Sequence, residues 1–278
     1  MTSLVCLALV ASAPLKVGVT LHPYYSWAAQ VTRGLPVELV PVVPGDVDIG
    51  SYQPRPQDVA TLATLDVLVE NGLGHDAFLD EMVRAAGNAR LTRVRLNEGT
   101  PLLRSQGSVA PNSHTFLSLG NAAAQSYTLA RALAALRPEW RQALEANAAG
   151  YARRLRGLRA QTVTRLGGVT QRRVVTVHDG YAYLLQELGL EQAAVVEPAH
   201  GLLPSAAELA EVVTLLKARE AAVVLSEASF PEAMAKVLAE AGARVAVVSH
   251  VATGEFTAAR FEDDMRQNLD VIVQVMTR

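Results

Sequence analysis

The sequence predicts an α/β protein of two lobes, each a small parallel sheet flanked by helices, joined by a long backbone helix. Two observations carry this. Short apolar strands alternate with helical stretches over residues 16–96 and again over 173–276, and such alternation implies parallel pairing through right-handed crossovers. Between the two halves, Glu139 to Leu166 is helical in pattern with no strand signal, and at ~1.5 Å per residue it runs about 40 Å, long enough to act as a strut.

The elements follow in order. Lys16–Leu21 reads as a strand ended by His22-Pro23, and residues 24–33 as a helix. Val37–Val43 is a second strand, closed by Pro44-Gly45. Pro54–Ala63 is a helix with prolines in its first turn, where a missing N–H costs nothing. Leu65–Val69 is a third strand ended by Asn71-Gly72, residues 76–86 are amphipathic, and 91–96 form a fourth strand. Ala122–Leu136 and Glu139–Leu166 are helical, broken at Pro138. In the second half strands are predicted at 173–177, 193–196, 221–226 and 243–249, with helices at 180–188, 205–218, 231–241 and 258–276. Ser205 with Glu208 has the form of a capping box. The expected boundaries are an N-terminal lobe at 14–137, a linking helix at 138–166 and a C-terminal lobe at 167–278.

Residues 1–13 read as a signal peptide. The apolar run Leu4–Val10 is followed by Ala11-Ser12-Ala13, a small-x-small cleavage pattern. The run is too short to span a bilayer. No Lys or Arg precedes it and Pro14 follows the cut, so a buried first strand is the competing reading.

Composition removes several classes. Of 278 residues half are apolar and 19% charged, which is globular rather than disordered. A net charge of -2 lacks the basic excess of a nucleic-acid binder. A lone cysteine, Cys6, excludes an internal disulfide framework and any multi-cysteine zinc or iron–sulfur site. There is no phosphate-binding P-loop and no G-x-S-x-G, and Asn71-Gly72-Leu73-Gly74 lacks the third glycine of a dinucleotide fingerprint.

Six histidines remain as the abundant nitrogen donors. In open parallel sheets ligands bind beyond the carboxyl ends of strands. His22, His178 and His250 each follow a predicted strand, and His114 sits in the polar loop Pro111–His114 before a long helix. His75 opens the amphipathic stretch and reads as a solvated cap residue, and His200 as a surface or cleft loop residue. On the residues alone the constellation reads as a metal or anion site, since imidazole is a common ligand for zinc, copper, iron and nickel.

Several segments resemble the zinc- and manganese-binding solute-binding proteins of ABC importers. They are Pro44-Gly45 with Ser51–Asp58, Leu65–Gly74, Asn112–Ser118, Val177–Tyr183, Leu225–Pro231 and Asn268–Asp270, in the family's order and spacing from about Lys16 to the C-terminus. The resemblance implies two α/β lobes on a backbone helix and four ligating positions, two from each lobe. It assigns His114 to the second position, His178 to the third and His250 to the fourth, where the family usually has Asp. The first position falls on Gly50, which has no ligand side chain. His22 is the expected substitute, with Asp46, Asp48 or a water as other donors. Glu227 and Asp179 are the expected partners that orient imidazoles.

The function this implies is extracytoplasmic capture of one divalent transition metal between the lobes, with no bond made or broken, and delivery to a membrane permease. The expected site is His22, His114, His178 and His250 holding Zn²⁺, with Mn²⁺ as the alternative cargo. The expected setting is periplasmic or extracellular, as a monomer. A binding protein for a metal chelate, and a zinc hydrolase using Glu227 as base, are the rival readings.

Overall fold

The computed structural model describes residues 13–47, 49, 52–197 and 201–278. The apolar run Leu4–Val10 and Cys6 lie outside the described residues, as do Asp48, Gly50 and His200. Among the described residues no helix is long and apolar enough to cross a membrane.

The first sheet holds β1 (Leu15–Val19), β2 (Val37–Pro41), β3 (Val67–Glu70) and β4 (Thr92–Arg95) in the spatial order β2-β1-β3-β4. The second holds β5 (Arg173–Thr176), β6 (Glu191–Val195), β7 (Val223–Ser226) and β8 (Arg244–Val247) in the order β6-β5-β7-β8. All six neighbouring pairs are parallel. The four residues of β3 and the four of β7 are all buried, as befits inner strands covered on both faces. The two lobes thus repeat one topology, and in each the strand order reverses between the first and third strands. That reversal point is where a crevice opens at the carboxyl ends.

The helices of the first half are α1 (His22–Val31), α2 (Pro56–Leu62) and α3 (Leu79–Ala86). Two long ones follow, α4 (Leu119–Leu136) and α5 (Arg141–Arg165). The second half has α6 (Ala182–Glu187), α7 (Ala206–Lys217), α8 (Glu232–Glu240) and α9 (Arg260–Met276). Every predicted strand and helix has a counterpart, with ends shifted by a few residues. The capping box at α7 forms: Ser205 N–H donates to Glu208 at 2.7 Å and Glu208 N–H to Ser205 Oγ at 3.3 Å. His22 is the first residue of α1 rather than a loop residue, because Pro23 is tolerated in a helix's first turn.

The strut α5 has 25 residues, about 37 Å of helix. It buries Leu144, Ala148, Tyr151, Ala152 and Leu155, a helical stripe, largely against α4. The alanine-rich buried face of α4, with Ala122, Ala123, Ala130 and Ala134, permits close approach. A main apolar core runs from the first sheet through α4 and α5 to Leu184, Val223 and Phe261. A second, smaller core around Val175, Val224 and Leu238 lies in the C-terminal half. The last helix, α9, packs on α1 and α5 as well as β8, so it belongs to neither half alone.

Candidate metal centre

The site is built at strand ends. His178 lies two residues past β5, and His250 three past β8. His114 ends the polar loop that enters α4 through a short 3-10 turn at Thr115–Leu117. One ring nitrogen from each of these three histidines falls within 4.8 Å of the others. Ring centroids are 4.5 Å apart for His114 and His178, 4.9 Å for His178 and His250, and 5.4 Å for His114 and His250. His178 is buried and the other two are half-buried.

Each ring is oriented by the protein. Asn112 Oδ1 accepts both the His114 backbone N–H and, at 2.9 Å, the His114 ring Nδ1–H. An amide oxygen only accepts, so Nδ1 carries the proton and Nε2 presents its lone pair. The Asn112 amide is itself fixed, since its Nδ2 donates to the Asp179 carbonyl at 2.8 Å and carboxylate at 3.0 Å. Asp179 therefore acts on His114 through Asn112. Glu227 acts directly: its Oε1 lies 3.3 Å from His178 Nδ1 and accepts the Tyr181 hydroxyl at 2.9 Å. That leaves His178 Nε2 as the nitrogen that could serve a metal ion.

Burial acts to raise the Glu227 pKa, but the His178 hydrogen bond, the nearby charges of His250 and His178, and the Tyr181 hydroxyl outweigh it and hold the carboxyl at about 2. The carboxylate stays charged opposite the histidines. Gly180 makes room for this arrangement, because a Cβ there would meet His178 Cε1 at 2.7 Å.

His250 is anchored from α9. Asn268 Oδ1 accepts Ser249 N–H at 2.7 Å and Asn268 Nδ2 donates to the Ser249 carbonyl at 2.8 Å. The next residue, Val251, has φ 56°, a left-handed conformation that is strained for a β-branched side chain. A cavity of about 570 Å³ opens beside His250 and Glu227.

The structure does not bring His22 into the group. Its Nε2 donates to the Gly254 carbonyl at 2.8 Å, and its ring lies flat on Phe256 with centroids 3.9 Å apart. Burial lowers its pKa, outweighing the hydrogen bond to Gly254, so the ring is held neutral as a structural tie. Asp46 is exposed.

His75 also departs from expectation. It is no cap, since Phe78 precedes α3. Its half-buried ring packs edge-on against His114 with centroids 5.1 Å apart. The signal was available, because His75 follows β3 by the same strand-end logic that selected His178, across a turn of two glycines.

The fold and the imidazole group are those of a two-lobed metal-binding protein, and the family match makes it a solute-binding protein of the metal ABC-importer type rather than an enzyme. The chain belongs to the family described as ZnuA, zinc-uptake complex component A, periplasmic, whose model matches residues 17–275. The structure of FpvC from Pseudomonas aeruginosa in complex with Mn²⁺ is similar, with a TM-score of 0.87 and 38% identity, over 95% of this chain and 98% of that one. FpvC with Ni²⁺ superposes equally, at 0.87 and 38%, over 95% and 97%. The high-affinity zinc uptake protein ZnuA of Bacillus subtilis (strain 168) is 24% identical over 277 residues, 93% of this chain and 86% of its own length.

Proposed function

We propose that this protein captures one Zn²⁺ ion in the cleft through His114, His178 and His250, and passes it to the permease of an ABC importer outside the cytoplasm. A tetrahedral ion with Zn–N bonds of about 2.0–2.1 Å places its imidazole centroids about 5.2 Å apart. The observed spacings of 4.5, 4.9 and 5.4 Å lie on either side of that value, and this is the observation that carries the reading. His114 comes from the first half of the chain and the other two from the second, so binding draws the halves together. The all-nitrogen donor set favours zinc over manganese, which prefers oxygen. Nickel and copper also accept imidazoles, and the Mn²⁺ and Ni²⁺ forms of FpvC make both ions worth direct comparison. Export and a monomeric state belong to the same proposal. The apolar run before Lys16 and the family's periplasmic description support export.

The test is metal analysis of the purified protein, followed by competitive titration of the metal-free form with Zn²⁺, Mn²⁺ and Ni²⁺. One Zn²⁺ per chain, bound tighter than Mn²⁺ and lost in His178→Ala, is the expected result. Preference for Mn²⁺, or unchanged zinc binding in His178→Ala, overturns it.

A further inference from the structure

Three imidazoles leave a tetrahedral ion one donor short, and His22 is committed elsewhere. We propose that His75 is the fourth nitrogen donor, supplied from the end of β3 in place of a ligand at position 50. The inference rests on the metal-capture reading above.

Three observations converge on it. The His75 ring centroid is 5.1 Å from that of His114, matching the spacing of about 5.2 Å that two imidazoles adopt on one tetrahedral ion. The second observation is orientation. Ser113 Oγ lies 3.3 Å from His75 Nδ1, just as Asn112 Oδ1 holds His114 Nδ1 and Glu227 Oε1 holds His178 Nδ1. In each case an oxygen engages Nδ1, and where the Ser113 hydroxyl accepts from His75 Nδ1–H, Nε2 is the nitrogen offered to an ion, as is usual for a ligating histidine. His22 has the opposite arrangement, with Nε2 spent on a backbone carbonyl.

The third is rigidity. Buried Asp76 clamps the turn that carries His75, accepting Asn71 N–H at 2.7 Å, Gly72 N–H at 3.4 Å and the Thr20 hydroxyl at 3.2 Å. Asn71 Nδ2 then donates to the Ser113 carbonyl at 2.9 Å. The backbone bearing His75 is thereby stapled to the residue next to His114. The two rings form one platform on the first half of the molecule, facing His178 and His250 on the second. The three-histidine group closes within 4.8 Å without His75, so its side chain must move to reach the ion, re-forming the Ser113 contact in its new place, while the clamped backbone stays put.

The experiment compares wild type, His75→Ala, His75→Gln and His22→Ala, all as the full chain stripped of metal. Zn²⁺ affinity is measured against a competing chelator, and the visible absorption of the Co²⁺ form reports coordination number. Thermal melts of the metal-free proteins check that each variant folds. Both His75 variants should lose affinity by on the order of 100-fold, at least the loss seen when a partner of a ligand is removed. Their Co²⁺ bands should change, and His22→Ala should keep both affinity and spectrum. Zinc affinity within threefold of wild type and an unaltered Co²⁺ spectrum in folded His75→Ala would overturn the assignment. Failure of the wild type to bind zinc would instead remove the metal-capture reading beneath it.

Discussion

An imidazole ligates through one nitrogen, so the partner of its other nitrogen decides which edge it shows to an ion. Glu227 sets that edge for His178, and Glu227→Gln keeps the shape while removing the charge. Such partners are worth about 10–100-fold in metal affinity. We expect a zinc affinity loss in that range with the fold intact, and a variant binding zinc as tightly as wild type would deny Glu227 an orienting role. His22 makes a different case. Its folded pKa lies below the ordinary 6.5 because burial disfavours the charged ring. The unfolded chain therefore takes up this proton first as pH falls. The stabilisation is complete above 6.5 and is lost as pH drops through that value toward the folded pKa. Urea unfolding at pH 7.5 and at pH 5.5 should show a loss of stability on acidification that is smaller in His22→Gln. An identical pH dependence in both proteins would refute the buried-neutral reading. At this scale the sequence was only partly legible. The strand-end rule selected His22, His178 and His250 alike, but whether a ring points into the cleft depends on distant partners such as Gly254 and Phe256. For His75 the amphipathic stretch after it masked the same rule.

Among the elements, the connection from β8 to α9 matters most, because it carries His250 and then crosses to the first half. There Gly254 N–H donates to the Gly45 carbonyl at 2.7 Å, and the Ser26 hydroxyl donates to the Thr257 carbonyl at 2.7 Å. The approach is so close that a Cβ on Gly45 would stand 2.2 Å from the Gly254 carbonyl oxygen. Since that obstacle is backbone, Gly45→Ala must displace the crossing segment. Overpacking of this kind costs about 1–3 kcal/mol. We expect a destabilisation of that size in chemical denaturation together with weaker zinc binding, because His250 rides on the displaced segment. Full stability in Gly45→Ala would show that the loop yields freely. The strands and helices were legible because alternation and helical stripes are local signals. Their ends moved where side chains or prolines intervene, as at the first turn of α1. That α9 joins both halves was not legible, since packing between elements distant in sequence leaves no periodic mark.

For the whole molecule, the question is whether one ion couples the two halves. They already touch through protein contacts: Asn112 in the first reaches Asp179 in the second, and half-buried Glu187 at the end of α6 accepts Ser118 Oγ and the N–H groups of Leu119 and Gly120 at the start of α4. A carboxylate at a helix N-terminus is favoured by the exposed N–H groups and the helix dipole, so these contacts already tie the two halves together. In the proposed function the metal adds a further tie, through the histidines beside the Asn112–Asp179 contact. An ion that binds only the folded form stabilises it by mass action, about 2.7 kcal/mol at a free concentration 100 times Kd. At about 2–4 °C per kcal/mol for chains somewhat shorter than this one, the melting midpoint should rise by roughly 5–10 °C. With the proposed donors coming from both halves, zinc should raise one common transition, and His178→Ala should abolish the rise. Calorimetry showing two transitions of which zinc moves only one would mean that the ion sits on a single half, and the capture of metal between lobes would have to be abandoned.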